Sequence, residues 1–503
     1  MKITIIGGGT AGWLTALYFR FQYKKNIKIT VVASDSIPII GAGEGSTGIF
    51  PELLGGLEKE LKGFNVQDFI KYSSATIKLG IENKDWNGKN HTFYEPIIPS
   101  YSANSFVDYN YLYALKWDSK FIPNSTLNGN LWKNNKIPFD KNYNIHDREY
   151  AYHFDSYKVG EYFKKIALLN DINFIEDTVV KLSRNSQSGF LDSVKLKNKN
   201  TYIKSDLWID CSGFKRVLIN EMDDQWVDYK DYLPSNSALA YAFDFKKDEK
   251  IKPSTLAWAM PHGWMWQIPT QERYGCGLVY SDNFINEDQA HNELEKITNR
   301  KIKNTRSIKY RSGRLGKVWV KNVLAIGLSS SFLEPLEATS IHSTIVQLDR
   351  LYLKNFSLQK NILFNEYNIK DYNNYFSKLI DSYRDLIQIH YMNKRKDSDY
   401  WDYIKNDLKI SSLNKHILEI IKYKIPQKQD FDEVYGGGNY WGLYQWILDG
   451  LKLYPQNYSD EHLKYYNLLE ESEINYKNLK NSFLPKISNY INHNEFIKHF
   501  NNK

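Results

Sequence analysis

Cysteine is nearly missing from this chain: only Cys211 and Cys276 stand among 503 residues, with no CxxC and no Cys/His cluster. Neither a disulfide framework nor a structural zinc site can be built from them, which fits a reducing compartment such as the cytosol. Also missing is any apolar run of the ~18 to 20 residues that a membrane span needs. The opening MKITIIGGG turns to glycine too soon for a secretory signal. The expectation is a cytoplasmic protein with no membrane segment. Basic residues form no block either: 66 Lys and Arg against 58 Asp and Glu leave a net charge of +8, spread along the chain. This lacks the clustered stripe of a nucleic-acid binder. A mildly positive field still steers anions such as a pyrophosphate cofactor or a halide.

What the chain does have is apolar and aromatic residues, 42% and 15% respectively, enough for two or three packed lobes. The start, KITIIGGGTAGWLTALYF, is a β-rich run, then Gly7-x-Gly9-x-x-Gly12, then a helical apolar pattern. Such glycines permit a tight turn and let backbone N–H groups approach a pyrophosphate at the positive end of a helix. A second β run, Ile27 to Ala33, completes a Rossmann βαβ unit. Where that strand should end in an acidic residue for the ribose stands Ala33, with Ser34 and Asp35 just beyond as substitutes. GAGEGST (Gly41 to Thr47) is a further small-residue stretch that could approach a flat ring or form a plain loop. SDLWIDCSGF and NVLAIGLSSSFLEPLEATSIH each read as a buried strand and a small-residue turn. Discontinuous segments of this kind complete an FAD site in the glutathione-reductase topology, so a flavin is expected rather than a nicotinamide.

ATIKLGIENKDW alternates, with Ile77, Leu79 and Ile81 on one face and Thr76, Lys78, Gly80 and Glu82 on the other. It predicts a half-buried strand with Lys78 on its polar face and Glu82 ~13 Å away along the axis, too far for a local ion pair. A lysine there is more commonly an exposed group at a sheet edge. Glu337 sits in FLEPLEATS, after Pro335 and before the narrow turn Ala338, Thr339, Ser340. It can serve as a base, or it can anchor the loop or cap the following helix, the commoner roles. GWMWQIP (Gly263 to Pro269), read as a strand, puts Trp264, Trp266 and Ile268 on one face and Met265 and Gln267 on the other, with Pro269 ending it.

GGGTAGW, IKLGI, AYHFD, DCSGF, GWMWQIP, the PLEATS loop and RDLIQIHY, in this order over about residues 1 to 401, together resemble the flavin-dependent tryptophan halogenase family. The WxWxIP signature is carried by Trp264, Trp266 and Pro269. The resemblance implies an α/β fold: a glutathione-reductase-type, Rossmann-like FAD-binding core over residues 1–345, with an added mostly helical substrate lobe over 346–503. It implies an FAD site drawn from Gly7, Gly8, Gly9, Thr10, Ala11, Gly12, Ser34, Ile37, Ile40, Ala42, Gly45, Val179, Leu328 and Ile341, and a halide turn at Thr339 and Ser340. FADH2 from a separate NAD(P)H-dependent flavin reductase would react with dioxygen to a flavin hydroperoxide. Chloride, bromide or iodide would attack it, and the hypohalous acid would travel through a tunnel to Lys78. There Lys78 would direct the halogen onto a small aromatic substrate of indole or phenol type, with Glu337 offsetting or removing the ring's positive charge. Two departures qualify this: Ser340 stands where the family has glycine, and Ala338 where a serine is common. No metal, nucleic acid or membrane is expected as partner; a homodimer is compatible with the reading.

Beyond His342 the pattern turns helical and aromatic. In GGGNYWGLYQWILDGL, Tyr440, Trp441, Tyr444 and Trp446 serve as helix-packing core at least as readily as substrate contacts. A flavin monooxygenase and an inactive halogenase-like binding protein are the rival readings. The tunnel lysine and the tryptophan pair argue against the first, while Ala33, Ala338 and Ser340 leave the second open.

Overall fold

The β-rich N-terminal run forms the strand Lys2–Ile6, buried from Ile3 onward. It pairs in parallel with Lys28–Ala33 on one side and Leu207–Asp210 on the other. The coordinates are a computed structural model describing residues 1–34, 43–97, 126–145, 149–222, 225–424, 426, 430–431, 440–455, 464–465, 467 and 469–501. The central sheet runs Trp319–Val320, Val323–Ala325, Leu207–Asp210, Lys2–Ile6, Lys28–Ala33, Asn173–Glu176. All of its pairings are parallel except the outermost one, at Trp319–Val320. Its inner strands are apolar without alternation because both faces are covered. The two later segments return to this sheet, Leu207–Asp210 directly beside the first strand and Val323–Ala325 one strand further out.

A seven-stranded sheet stands beside this core, in the order Arg306–Lys309, Ser237–Asp244, Arg273–Tyr280, Gly263–Pro269, Ser254–Met260, Gly80–Lys84, Thr92–Pro96. Gly263–Pro269 is central in it. The expected alternation holds: Trp264, Trp266 and Ile268 enter the large core, and Met265 enters a second one with Leu239, Tyr241 and Leu278. Both faces are thus covered.

The lysine segment departs from expectation. It is not one half-buried strand but two short ones, Thr76–Lys78 and Gly80–Lys84, and every residue from Thr76 to Ile81 is buried. The chain changes sheets at Leu79. Thr76–Lys78 pairs with Ala151–Phe154, and Gly80–Lys84 pairs with Thr92–Pro96 and Ser254–Met260. Leu79 bridges them, its N–H donating to the Pro253 carbonyl at 2.7 Å. Glu82 pairs with Lys252, at 2.7 Å, and not with Lys78.

From Thr339 onward the described chain is helical, including Thr339–Arg350, Glu366–Tyr391, Asp399–Asn406, Ser412–Ile420 and Tyr440–Gly450. Tyr444 and Trp446 are fully buried, as core packing requires; the side chains of Tyr440 and Trp441 lie outside the described residues. The final helix, His493–Asn501, returns to the strand of Lys78. No helix among the described residues is long and apolar enough to cross a membrane.

Candidate active site

The glycine turn fits a dinucleotide. Gly7 has φ +118, and a Cβ there would lie 2.2 Å from the Cys211 carbonyl oxygen; one on Gly12 would lie 2.0 Å from the Gly7 oxygen. Only glycine closes this strand–turn–helix so tightly. Gly9 caps the helix Thr10–Tyr23 without any side-chain hydrogen bond, and the space beside it is open. The first helical N–H groups, next to Gly8 and Ala11, are therefore free for a phosphate at the positive helix end. Thr10 Oγ1 is tied to the Ser156 carbonyl at 3.2 Å.

The turn before Leu328 lies against Ala11, since a Cβ on Gly327 would come within 2.7 Å of the Ala11 Cβ. Ile341 is buried one turn into the helix Thr339–Arg350. Asp177 N–H donates to the Ala33 carbonyl at 2.9 Å, which puts Val179 just past the end of the strand that leads to Ser34. Gly45 lies next to Lys78: a Cβ on it would be 3.4 Å from Nζ. Ile37, Ile40 and Ala42, with Asp35, lie outside the described residues.

Lys78 is 1% exposed, and its Nζ donates to the Ser46 carbonyl at 3.2 Å. Burial pushes its pKa down to about 8, against the opposing pull of Glu337 and Glu95. A lysine poised there is a switchable donor rather than a fixed cation. His153, in the adjacent strand, is held well below the ordinary histidine range by burial and by Lys78, so it stays neutral.

Glu337 closes a 3₁₀ turn, Pro335–Glu337, and Ala338 follows at φ +51. That left-handed residue throws the chain into the helix Thr339–Arg350, whose N-terminus has no side-chain cap. Glu337 is therefore not a helix cap. Its carboxylate points inward, with Oε1 3.1 Å from His390 Nε2, and Glu95 Oε2 lies 3.6 Å from the same nitrogen. Burial, then the charge of Glu337, pushes Glu95 up to about 7. Burial works against a charged His390, but Glu337 and Glu95 outweigh it and raise the ring to about 10.

The donor atoms of Glu95, Glu337 and His390 all lie within 4.8 Å of one another. With His390 and Lys78 supplying the opposing charge, the set is already a balanced ion cluster. Thr339 and Ser340, at the free helix end, line a small pocket with Leu328, Ser331 and Tyr383. Only Ala338 separates this anion-favouring turn from Glu337.

A second glutamate of the same loop escaped sequence reasoning. Glu334 is fully buried and accepts hydrogen bonds from Trp264 Nε1 at 2.8 Å and from the Tyr391 hydroxyl at 2.6 Å. Burial raises it to about 7. The first tryptophan of GWMWQIP thus pins the loop that presents Glu337. Trp266 packs against the backbone of Gly277, where a Cβ would meet its ring at 2.0 Å. Glu95 was also missed, although a glutamate inside TFYEP is an unusual strand residue. His390 stood in RDLIQIHY without a role.

The tryptophan halogenase family model matches residues 2–464. Tryptophan 6-halogenase ThaL of Streptomyces albogriseolus is 29% identical over 490 residues, covering 90% of each chain. Tryptophan 7-halogenase RebH of Lentzea aerocolonigenes is 29% identical over 487 residues, again covering 90% of each. Among solved structures, Tar14, a tryptophan C-6 flavin-dependent halogenase (chlorinase) from taromycin biosynthesis, superposes with a TM-score of 0.90 at 26% identity over 99% of both chains. The fold and the glycine turn define a flavin-binding α/β oxidoreductase. The chain belongs to the tryptophan halogenase family, whose members are flavin-dependent enzymes acting with FAD and a halide.

Proposed function

We propose that this enzyme halogenates an electron-rich aromatic compound of indole or phenol type, with Lys78 and Glu337 as its catalytic residues. The observation that carries the reading is a lysine 1% exposed whose charge is balanced by Glu337, itself one residue from an uncapped helix end. When bound, FADH2 would supply, with dioxygen and a halide, the oxidising equivalent as hypohalous acid. Gly7 to Gly12, with Ser34, Ile37, Ile40, Ala42, Gly45, Val179, Leu328 and Ile341, would hold the flavin, and Thr339 and Ser340 would hold the halide.

The oxidant passes through a tunnel to Lys78, whose ammonium donates to its oxygen and draws electrons from the O–halogen bond. The ring carbon attacks the halogen, the carbon–halogen bond forms as the O–halogen bond breaks, and the leaving hydroxide takes a proton from the Lys78 ammonium and departs as water. Glu337 accepts the ring proton. Trp264 and Trp266, with Pro269 closing their strand, keep organic substrate away from the flavin. A separate NAD(P)H-dependent reductase supplies FADH2, and the helical region 346–503 forms the substrate lobe.

The test incubates the protein with FAD, a reductase, NADH, oxygen and each halide against a panel of indoles and phenols, reading mass shifts. Halogenated product is expected, with Lys78→Ala lowering its rate by about 10² to 10⁴, the scale of a lost acid–base group. Hydroxylated product alone would favour the monooxygenase reading.

A further inference from the structure

Two buried carboxylates, Glu95 and Glu337, stand close together with one buried imidazole beside both. Like charges this near normally end up sharing a proton, since both cannot stay ionised cheaply. Here His390 intervenes. Its Nδ1 faces the Leu386 carbonyl at 3.2 Å, an acceptor only, so that nitrogen carries a hydrogen. Its Nε2 lies 3.1 Å from Glu337 Oε1 and 3.6 Å from Glu95 Oε2, ion-pair distances without an aligned hydrogen bond, so it is the charge of the carboxylates that favours a proton on this nitrogen. The ring cannot turn away, because His390 is fully buried and Trp86 packs edge-on at 5.7 Å. It rides on the 26-residue helix Glu366–Tyr391, one residue before the Tyr391 that holds Glu334.

We propose that His390 is a positioning residue: as an imidazolium it holds the Glu337 carboxylate ionised and oriented, and it separates Glu337 from Glu95, which would otherwise share its proton. This rests on the reading of Glu337 as the group that accepts the ring proton. The charged groups around the ring are Glu337 and Glu95 in contact, Glu334 in the same loop as Glu337, and Lys78, which feels the charge of both carboxylates. The raised titration of the ring agrees with the geometry.

Two measurements test it. In the first, the protein carrying ¹⁵N-histidine is titrated by NMR. Both ring nitrogens of His390 should stay protonated through pH 8, and Glu337→Gln should lower the titration by more than one pH unit. A ring titrating near the ordinary histidine value of about 6.5 would overturn the proposal whatever the halogenation assay gives. In the second, the acid limb of the halogenation rate is followed. His390→Asn should move it up by at least one pH unit and cut the rate at pH 7 tenfold or more. Adding Glu95→Gln should move the limb back, because the competing carboxylate is gone. A rate lost equally at all pH values, with no response to Glu95→Gln, would sink the idea. Halogenation that survives Lys78→Ala would instead fail the assignment of the site and leave the imidazole titration standing.

Discussion

At Lys78 the cost of burying a charge competes with the attraction of two carboxylates, and burial prevails, leaving the amine near 8. The drop from its ordinary value corresponds to roughly 3 kcal/mol. Between pH 8 and 10.5 the unfolded chain binds more protons at this residue than the folded chain does, so its contribution makes stability rise with pH in that window. Catalysis has the opposite slope, because the proposed role needs the ammonium. The halogenation rate should fall as pH rises through about 8. Lys78→Met should be more stable than wild type at pH 7, by an amount that shrinks towards pH 10. Rate–pH profiles and urea unfolding at several pH values check both, and an alkaline limb absent from the profile would remove the ammonium from the mechanism. None of this was legible from the residue. Lysine in a short alternating run reads as a surface group, and only its burial turns it into a tuned donor.

The strand Gly263–Pro269 shows what an element's pattern contains and what it omits. The period of two correctly placed Trp264, Trp266 and Ile268 together, because strand geometry alone dictates that. That both faces are buried depends on the neighbouring strands and on two separate cores, which the strand's own sequence does not specify. The segment around Lys78 failed for a related reason: its residues alternate as one strand, but the chain leaves one sheet for another at Leu79. The Trp264 indole N–H is a hydrogen-bond donor to the buried Glu334 carboxylate, leaving Tyr391 as the other. Trp264→Phe keeps most of the packing and removes that donor. It should lower stability by about 1–3 kcal/mol, the range for losing one hydrogen bond to a buried carboxylate that keeps its other donor. Denaturant unfolding measures the loss, and an unchanged midpoint would show that the bond does not hold the loop.

Across the whole molecule, the C-terminal helix serves the active-site strand from far along the chain. His493, fully buried, accepts the Ile77 N–H on Nε2 at 3.3 Å and donates from Nδ1 to the Ile251 carbonyl at 2.8 Å. Burial holds its pKa at about 4, so it stays neutral and can do both. His493→Ala leaves two buried backbone groups without their partner, next to Lys78 and beside Pro253, which anchors Leu79. An expected loss of about 1–3 kcal/mol per group should lower the melting temperature. The halogenation rate should fall with it even at temperatures where the protein stays folded, and calorimetry with rate assays below the transition would separate the two effects. A rate unchanged in the folded variant would mean that the strand holds its place without this clamp.

The sequence by itself determined the Rossmann turn, the two later buried strands that join its sheet, the helical last third and the family motifs. All of these follow from local steric rules or from residues adjacent in the chain, as with Gly7 and Gly12, whose missing side chains fix the turn. Only the tertiary structure decided that Lys78 is buried and that Glu337 faces His390 and Glu95 instead of capping its helix. It also decided that Trp264 answers to Glu334. These pairings join residues up to hundreds of positions apart, and their strength comes from exclusion of water, a property of the packed molecule that no stretch of chain carries on its own.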